Sequence, residues 1–347
     1  MIFPKIESFP TYWENGMKLS ASHFRHLEDS IEDSVRDARA ASLMTLSGFG
    51  LIPRSQFSIQ NAQGESPNSV RVILNACQAL MPGGYRVEIL PENIQALKIP
   101  SQAPYVEFVP SPDTDYHIYL TVSQKKRIPA GHPESRPIRY PYLAHDYKLE
   151  CVSTKSTIQT LAANRMKIAQ WKNGKIEEGY IPPSMTINGY ELLHKWHQFL
   201  MNQLENMVRI SLQVINEHRN KDRARAAFCT PIVNYIRSTQ SYYKWQLPNQ
   251  SPTTLAVYFG NLAGLVEGLI ETMDRDFVRN QLKNGQINGL FQNIQALLKI
   301  EVLPLEEMAV IIGRIKIFCD SLFQTLLGLG TNRGPDLKTG ERNISSG

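Results

Sequence analysis

Two histidine pairs, His23/His26 and His194/His197, are the residues whose spacing could do chemistry. On a helix an i,i+3 pair of imidazoles can converge on one metal ion. Neither pair stands in an H-E-x-x-H string, which would set the histidines at i and i+4 around a glutamate base. Glu191 precedes His194 by three residues, giving one Glu-x-x-His; a helical two-metal site needs a second on another helix, and the bundle supplies none. His197 falls on an apolar stripe and reads as a packed residue. The other motifs of reaction chemistry do not occur. There is no P-loop and no G-x-S-x-G elbow. Gly328-x-Gly330 follows a helical pattern instead of opening one. Asp113 and Asp115 beside Pro112 read as a turn, not a calcium loop. Cys77, Cys151, Cys229 and Cys319 lie far apart without a C-x-x-C pair, which argues against a zinc finger or a disulfide framework and fits a reducing compartment. The expectation is a protein with no catalytic residue, no cofactor and no metal.

The bulk numbers are those of an ordinary folded protein. With 42% apolar and 20% charged residues the chain has the composition of a folded globular protein, and its 347 residues predict two or more domains. The net charge of +5 is mild. Lys125-Lys126-Arg127 and the Arg219, Lys221, Arg223, Arg225 cluster lack the interleaved aromatics that stack on bases, so they read as solvated faces and no nucleic-acid partner is expected. The N-terminus, MIFPKIESFP, lacks the apolar core of a signal peptide. No run approaches the ~20 apolar residues of a membrane span, so no direct membrane insertion is expected.

Proline divides the chain. Sixteen of the 21 prolines precede residue 186, and proline interrupts helices because it lacks a backbone donor. The first part carries one helix, from about Ala21 to Thr45. Its apolar stripe is Phe24, Leu27, Ile31, Val35 and Ala38. Ser20 and Ser22 are candidate caps, Glu32 and Arg36 pair on the wet side, and Gly48 and Gly50 follow its end. Strands come next. Val70–Leu74 and Tyr85–Ile89 are expected to form a hairpin around Gly83-Gly84. Further strands are Tyr105–Phe108 and the Ile118, Leu120, Val122 run. Met166–Trp171 and Lys175–Tyr180 flank Asn173-Gly174, whose residues tolerate positive φ. Ile128–Tyr142, with four prolines, reads as a long exposed loop. The second part shows helical stripes over about 189–219, 230–245, 252–273, 290–300 and from Pro304 onward, an antiparallel bundle. His197 lies on the first of these, and Tyr242, Tyr243 and Trp245 are candidates for apolar surface left over for self-association. The expected fold is α+β: a β-sandwich-like domain with one helix over 1–185, an α-helical bundle over 186–328, and a disordered tail over 329–347.

One string answers to no simple periodicity: Trp13, Gly16, Met17, Leu19, His23 and Phe24, reading W-x-x-G-M-x-L-x-x-x-H-F. A glycine among such residues lets an arm approach another surface closely, and Trp13 and Phe24 are aromatics of the kind that anchor interfaces; packing within their own domain is the competing reading. Downstream stand Gly48-Phe49-Gly50-Leu51, then Ile181-Pro182-Pro183, then Pro252, Leu255, Leu262, Ala263 and Gly264. Together, in this order, these resemble the TssK family of type VI secretion system baseplate subunits. The resemblance implies a homotrimeric structural adaptor, not an enzyme, with a β-rich shoulder domain related to phage receptor-binding proteins followed by a helical neck. It implies baseplate wedge subunits (TssG, TssF) as partners of the shoulder, cytoplasmic parts of the membrane complex as further partners, and a cytoplasmic location at the inner face of the inner membrane. It makes Trp13, Gly16, Met17, Leu19, His23 and Phe24 the partner-interface candidates. Family members continue into a C-terminal head, whereas this sequence stops about twenty residues after its last helix; it is either a piece of a longer chain or a short form without the usual head, and both leave head-dependent docking open. The alternatives are a metal-dependent helical-bundle protein using His194 and His197, and a basic nucleic-acid-binding module.

Overall fold

Alternating apolar positions and glycine turns in the first part of the chain fold, in the computed structural model, into two antiparallel sheets around one core. The structure describes residues 8–9, 11–46, 49–96, 103–135, 138–156, 163–219, 222–273, 284–299 and 307–330. Gly48, Lys221, Ile300, Pro304 and residues 331–347 of the expected tail lie outside them, as do the side chains of Lys125 and Lys126. The chain is of the α+β class.

The first helix is α1 (Ala21–Leu46). It is followed by β1 (Gly50–Leu51), β2 (Phe57–Gln63), β3 (Val70–Leu80), β4 (Arg86–Ile89), the short α2 (Pro91–Ala96) and β5 (Tyr105–Phe108). β3 organises the first sheet, pairing antiparallel with β1, β2, β4 and β5. The expected hairpin forms around Gly83-Gly84, the Met81 N–H donating to the Tyr85 carbonyl at 2.9 Å, but its first arm is corrected here. β4 pairs with Cys77–Leu80, while Val70–Ile73 pairs with β5, because β3 runs six residues beyond Leu74.

The second sheet has the order β11-β10-β6-β9, from β6 (Tyr116–Ala130), β9 (Tyr142–Ser153), β10 (Arg165–Lys172) and β11 (Lys175–Ile176). The Asn173-Gly174 turn is as expected: φ is +51° and +79°, and Lys172 faces Lys175. The second arm is shorter than expected, ending at Ile176. The expected loop over 128–142 is also corrected. β6 continues to Ala130 against Tyr142, and β7 (Glu134–Ser135) and β8 (Ile138–Arg139) form a small ladder beyond it. Pro129 is tolerated opposite Leu143 because β10 pairs only as far along β6 as Thr121, so this stretch of β6 needs hydrogen bonds on one side only. Leu74, Val87, Ile118, Leu120, Met166 and Trp171, from both sheets, fill the shared core.

The helical part comprises α3 (Glu191–His218), α4 (Arg223–Ser241), α5 (Thr253–Thr272), α6 (Asn284–Leu298) and α7 (Met308–Gly330). α4 begins seven residues before Thr230 and carries Pro231 within it, held by buried Phe228, Cys229, Ile232, Val233 and Ile236. A five-residue π-helical turn, Tyr242–Gln246, follows it. α6 starts six residues before Leu290, and the last helix includes Leu329 and Gly330, which were expected in the tail. Ser251 heads α5, its Oγ accepting from the Thr253 N–H at 3.4 Å, with Pro252 in the first turn as expected. By length and composition alone α5 is apolar enough to cross a membrane, which corrects the expectation of no such run; 33% of its most apolar stretch is buried, and the core helix of a globular protein can have the same length and composition.

The chain divides into two compact units. The first holds Met1–Phe199, Ser241–Val257 and Ile300–Gly313, and the second holds Leu200–Gln240, Tyr258–Lys299 and Arg314–Gly347. Within the second, Tyr235 Oη donates to the Tyr258 carbonyl at 2.9 Å, Asn293 Nδ2 to Ser321 Oγ at 3.0 Å and Arg225 Nη1 to the Leu329 carbonyl at 2.8 Å. All four cysteines are free, and burial pushes the Cys77 and Cys229 thiols up to about 12.

Candidate partner interface at the N-terminal arm

The six motif residues sit at the entry to α1. Residues 11–20 run back along the start of the helix. A turn closes with the Met17 N–H on the Glu14 carbonyl at 3.2 Å and puts Gly16 at φ +85°, a left-handed conformation that favours glycine. A Cβ on Gly16 would meet nothing within 4 Å, so its conformation, not its size, selects the residue.

Ser20 precedes the first turn of α1, and its backbone N–H donates to His23 Nδ1 at 3.3 Å. The imidazole thus takes the place of the Glu or Gln of a capping box. The Ser20 and Ser22 hydroxyls lie 2.7 Å apart. Thr11 Oγ1 donates to the His23 carbonyl at 3.1 Å, and the Ser8 N–H to Asp33 Oδ2 at 3.0 Å, tying the arm to the helix at two points. Trp13 packs edge-on against His23 with centroids 6.1 Å apart and against Phe24 at 6.0 Å. The structure therefore brings Trp13, His23 and Phe24 into one cluster, with Gly16 forming the turn. Met17 is half-buried and Leu19 stands exposed. The packing leaves Trp13 43% and Phe24 50% exposed, so they pack on each other and still leave surface.

The helix itself is reversed relative to expectation. Ile31 and Val35 are exposed, whereas Ser30, Arg36 and Ala40 are buried. At 3.6 residues per turn Phe24, Ile31, Val35 and Ala38 lie opposite Asp33, Arg36, Asp37 and Ala40, and it is the polar side that faces the protein. Arg36 is not the wet-side partner of Glu32. Its Nη1 donates to Asp33 at 2.6 Å and to the Tyr85 hydroxyl at 3.2 Å, and its Nη2 to Asp37 at 3.1 Å. A buried guanidinium is tolerated when its donors are used in this way. Burial works against the Arg36 charge, but Tyr85, Asp37 and Asp33 outweigh it and raise its pKa. Glu32 and Asp29 instead meet Arg127 of β6, and His145 Nε2 of β9 lies 3.4 Å from Glu32. Desolvation, with Arg127 adding to it, pulls His145 below its ordinary pKa against the pull of Glu32. Gly84 at φ +84° completes the seat: a Cβ there would lie 2.2 Å from the Arg36 carbonyl oxygen.

Phe9, Tyr12, Trp13 and Leu19 of the arm and Phe24, Ile31 and Val35 of α1 are all exposed, and Trp13 touches Phe24. Ile31 and Val35 belong to this face although sequence periodicity places them in the core. The signal that could have turned the helix round is the acid-base-acid group Asp33, Arg36, Asp37 on its opposite side.

The other candidates resolve separately. His194 Nδ1 donates to Asn188 Oδ1 at 3.0 Å and its Nε2 accepts from Gln198 Nε2 at 2.8 Å, while His197 Nε2 meets the Tyr243 carbonyl at 2.9 Å. Among the described residues no group of three or more His, Cys, Asp or Glu is placed to hold a metal ion. Of the aromatics expected as left-over surface, Tyr242 and Trp245 are exposed, but Tyr243 is buried. A cavity of about 480 Å³ runs along the edge of β9 that has no strand partner among the described residues, touching six consecutive residues from Ala144 to Leu149. Glu88 in its wall is engaged by Arg86 at 2.5 Å and Gln78 at 2.6 Å.

No protein-family model matches the chain, and no curated protein matches it. Solved structures do. A crystal structure of TssK aligns with a TM-score of 0.53 at 14% identity, covering 90% of this chain and 69% of that one. TssK from the type VI secretion system of EAEC, solved in complex with a nanobody, aligns with a TM-score of 0.54 at 12% identity over 86% and 68%. A TssK-TssF-TssG baseplate subcomplex aligns at 0.49 and 13% identity over 92% of this chain and 100% of that one, below the value that marks a shared fold. The chain described here has the fold of TssK.

Proposed function

We propose that this chain is a TssK-type structural subunit of a type VI secretion baseplate, working through its surfaces as a homotrimer. Residues 1–185 are its shoulder and 186–328 its neck. The shoulder meets baseplate wedge subunits of the TssG and TssF kind through Trp13, Gly16, Met17, Leu19, His23 and Phe24. The assembly stands in the cytoplasm, at the inner face of the inner membrane, and links the wedge to the membrane-anchoring complex. The observation that carries the reading is the exposed Trp13-His23-Phe24 cluster, formed by the same residues through which the sequence resembles the family. The TssK fold supports it.

The test is affinity recovery of the tagged chain from its native cell with identification of the co-purifying proteins. Sheath and baseplate proteins are expected with the wild type and lost with the W13A/F24A double variant. Light scattering is expected to give three times the 39.4 kDa protomer mass for both. A monomer at micromolar concentration, or recovery without baseplate components, overturns the reading.

A further inference from the structure

His197 of α3 is only 3% exposed. Its ring lies flat on Tyr243, centroids 4.6 Å apart and planes 11° from parallel. Its Nε2 is 2.9 Å from the Tyr243 carbonyl oxygen, and the Tyr243 hydroxyl donates back to the His197 carbonyl at 3.4 Å. A carbonyl only accepts, so Nε2 carries the hydrogen and Nδ1 holds a lone pair. That Nδ1 is buried with no hydrogen-bond partner among the described residues. A neutral ring bears this cheaply, because a lone pair left alone costs less than a buried charge.

Tyr243 belongs to the π-helical turn Tyr242–Gln246, in which the Leu247 N–H reaches the Tyr242 carbonyl. Such turns are rare and concentrate at functional places. This one sends Tyr243 inward and leaves Tyr242 36% and Trp245 68% exposed, with Lys244 Nζ 4.9 Å over the Trp245 ring. The His197 hydrogen bond and ring stack thus hold the inward member of an otherwise outward-facing aromatic turn.

We propose that His197 is a proton-operated latch: neutral, it clamps the π-helical turn through Tyr243; protonated, it releases the turn and changes how Tyr242 and Trp245 are displayed. A second proton would put an N–H at Nδ1 where no acceptor lies, and a charge beside His194, whose ring stacks on His197 at 6.4 Å. His194 is held there by Asn188 and Gln198. Among the described residues, the charged groups on these elements are few. Glu191 and Lys195 of α3 pair with each other at 2.8 Å, and Lys244 is on the turn itself. The short turns Ile187–Gly189 and Leu247–Asn249, and residues 308–313 of α7 in the same unit, carry no ionisable side chain. Burial lowers the His197 pKa, the Tyr243 carbonyl pulls it up in part, and His194 lowers it further.

The experiment is fluorine NMR of the full chain labelled with 5-fluorotryptophan, titrated from pH 8 to pH 5, with the Trp245 resonance assigned by a W245F variant. The expected result is one transition of that resonance with a midpoint below 6.5, absent from H197Q, whose amide can still donate to the Tyr243 carbonyl but cannot titrate. In H194Q the transition persists and moves to higher pH. A Trp245 transition that survives in H197Q, or none in folded wild type down to pH 5, overturns the latch. Should H197Q not fold, the ring resonances of His197 in the wild type decide: a common midpoint with Trp245 supports the proposal, and different midpoints overturn it.

Discussion

Gly50 lies directly against Pro183. A Cβ on Gly50 would sit 2.1 Å from both the carbonyl carbon and the carbonyl oxygen of Pro183, and the glycine holds φ at +120°. The contact lets the Leu51 N–H donate to the Pro183 carbonyl at 2.8 Å and the Met185 N–H to the Leu51 carbonyl at 2.8 Å, a parallel bridge between two motifs 130 residues apart in the chain. Gly50→Ala is therefore expected to destabilise by more than the ~1–2 kcal/mol of left-handed strain alone, because the clasp must also open. Gly16→Ala, with open space for its Cβ, should cost only that strain. Urea unfolding of both variants checks the difference, and equal losses would remove the clasp argument.

The two faces of α1 make opposite demands. Arg36→Ala leaves Asp33 and Asp37 beside a buried gap and is expected to cost about 3–5 kcal/mol, the range for breaking a buried pair. Ile31→Ala and Val35→Ala, on the exposed side, should stay within about 0.5 kcal/mol. Thermal unfolding that ranks them the other way would restore the core assignment of the stripe.

Gly264 lies inside α5, is exposed, and has nothing within 4 Å of a Cβ. Gly264→Ala should raise stability by about 0.5–1 kcal/mol, since alanine has less backbone freedom to lose. Calorimetry of the purified chain measures this. If assembly with partners falls while stability rises, the glycine serves a contact outside the fold.

Acid should weaken the protein in two steps. Desolvation, helped by Lys167, pulls His117 down to about 4 in the folded state. Between about 4 and the ordinary value of 6.5 the unfolded chain takes a proton that the folded chain refuses, so stability is full above 6.5 and falls as pH drops through this window. Ser69 and then Arg71 hold Glu107 down at about 2. Its contribution is present above the ordinary 4.5 and is lost as pH falls toward 2. Chemical denaturation against pH should show both slopes. His117→Gln is expected to flatten the upper one and Glu107→Gln the lower; an unchanged profile in either variant contradicts the corresponding assignment.

Local chemistry was legible where one residue type has one use. Asn173-Gly174 announced its turn, Ser20 its helix, and the Ile118, Leu120, Val122 alternation its buried face, all three residues being 0% exposed. The Trp13, His23, Phe24 cluster could be suspected from its motif. What could not be read depends on partners distant in sequence. Arg36 is buried because Tyr85 arrives 49 residues later. Pro129 sits in a strand because β10 stops short of it. Tyr243 turns inward to meet His197, 46 residues before it in the chain. Periodicity reports which side of a helix differs from the other, not which side the rest of the chain will choose.

The bridge between Leu51 and Ser184 makes everything threaded between them an excursion that comes home to its point of departure. Loops within that excursion can lengthen or shrink over evolutionary time, and the run into α3 keeps the same starting place. A fault at the knot itself would be felt on both sides of it at once.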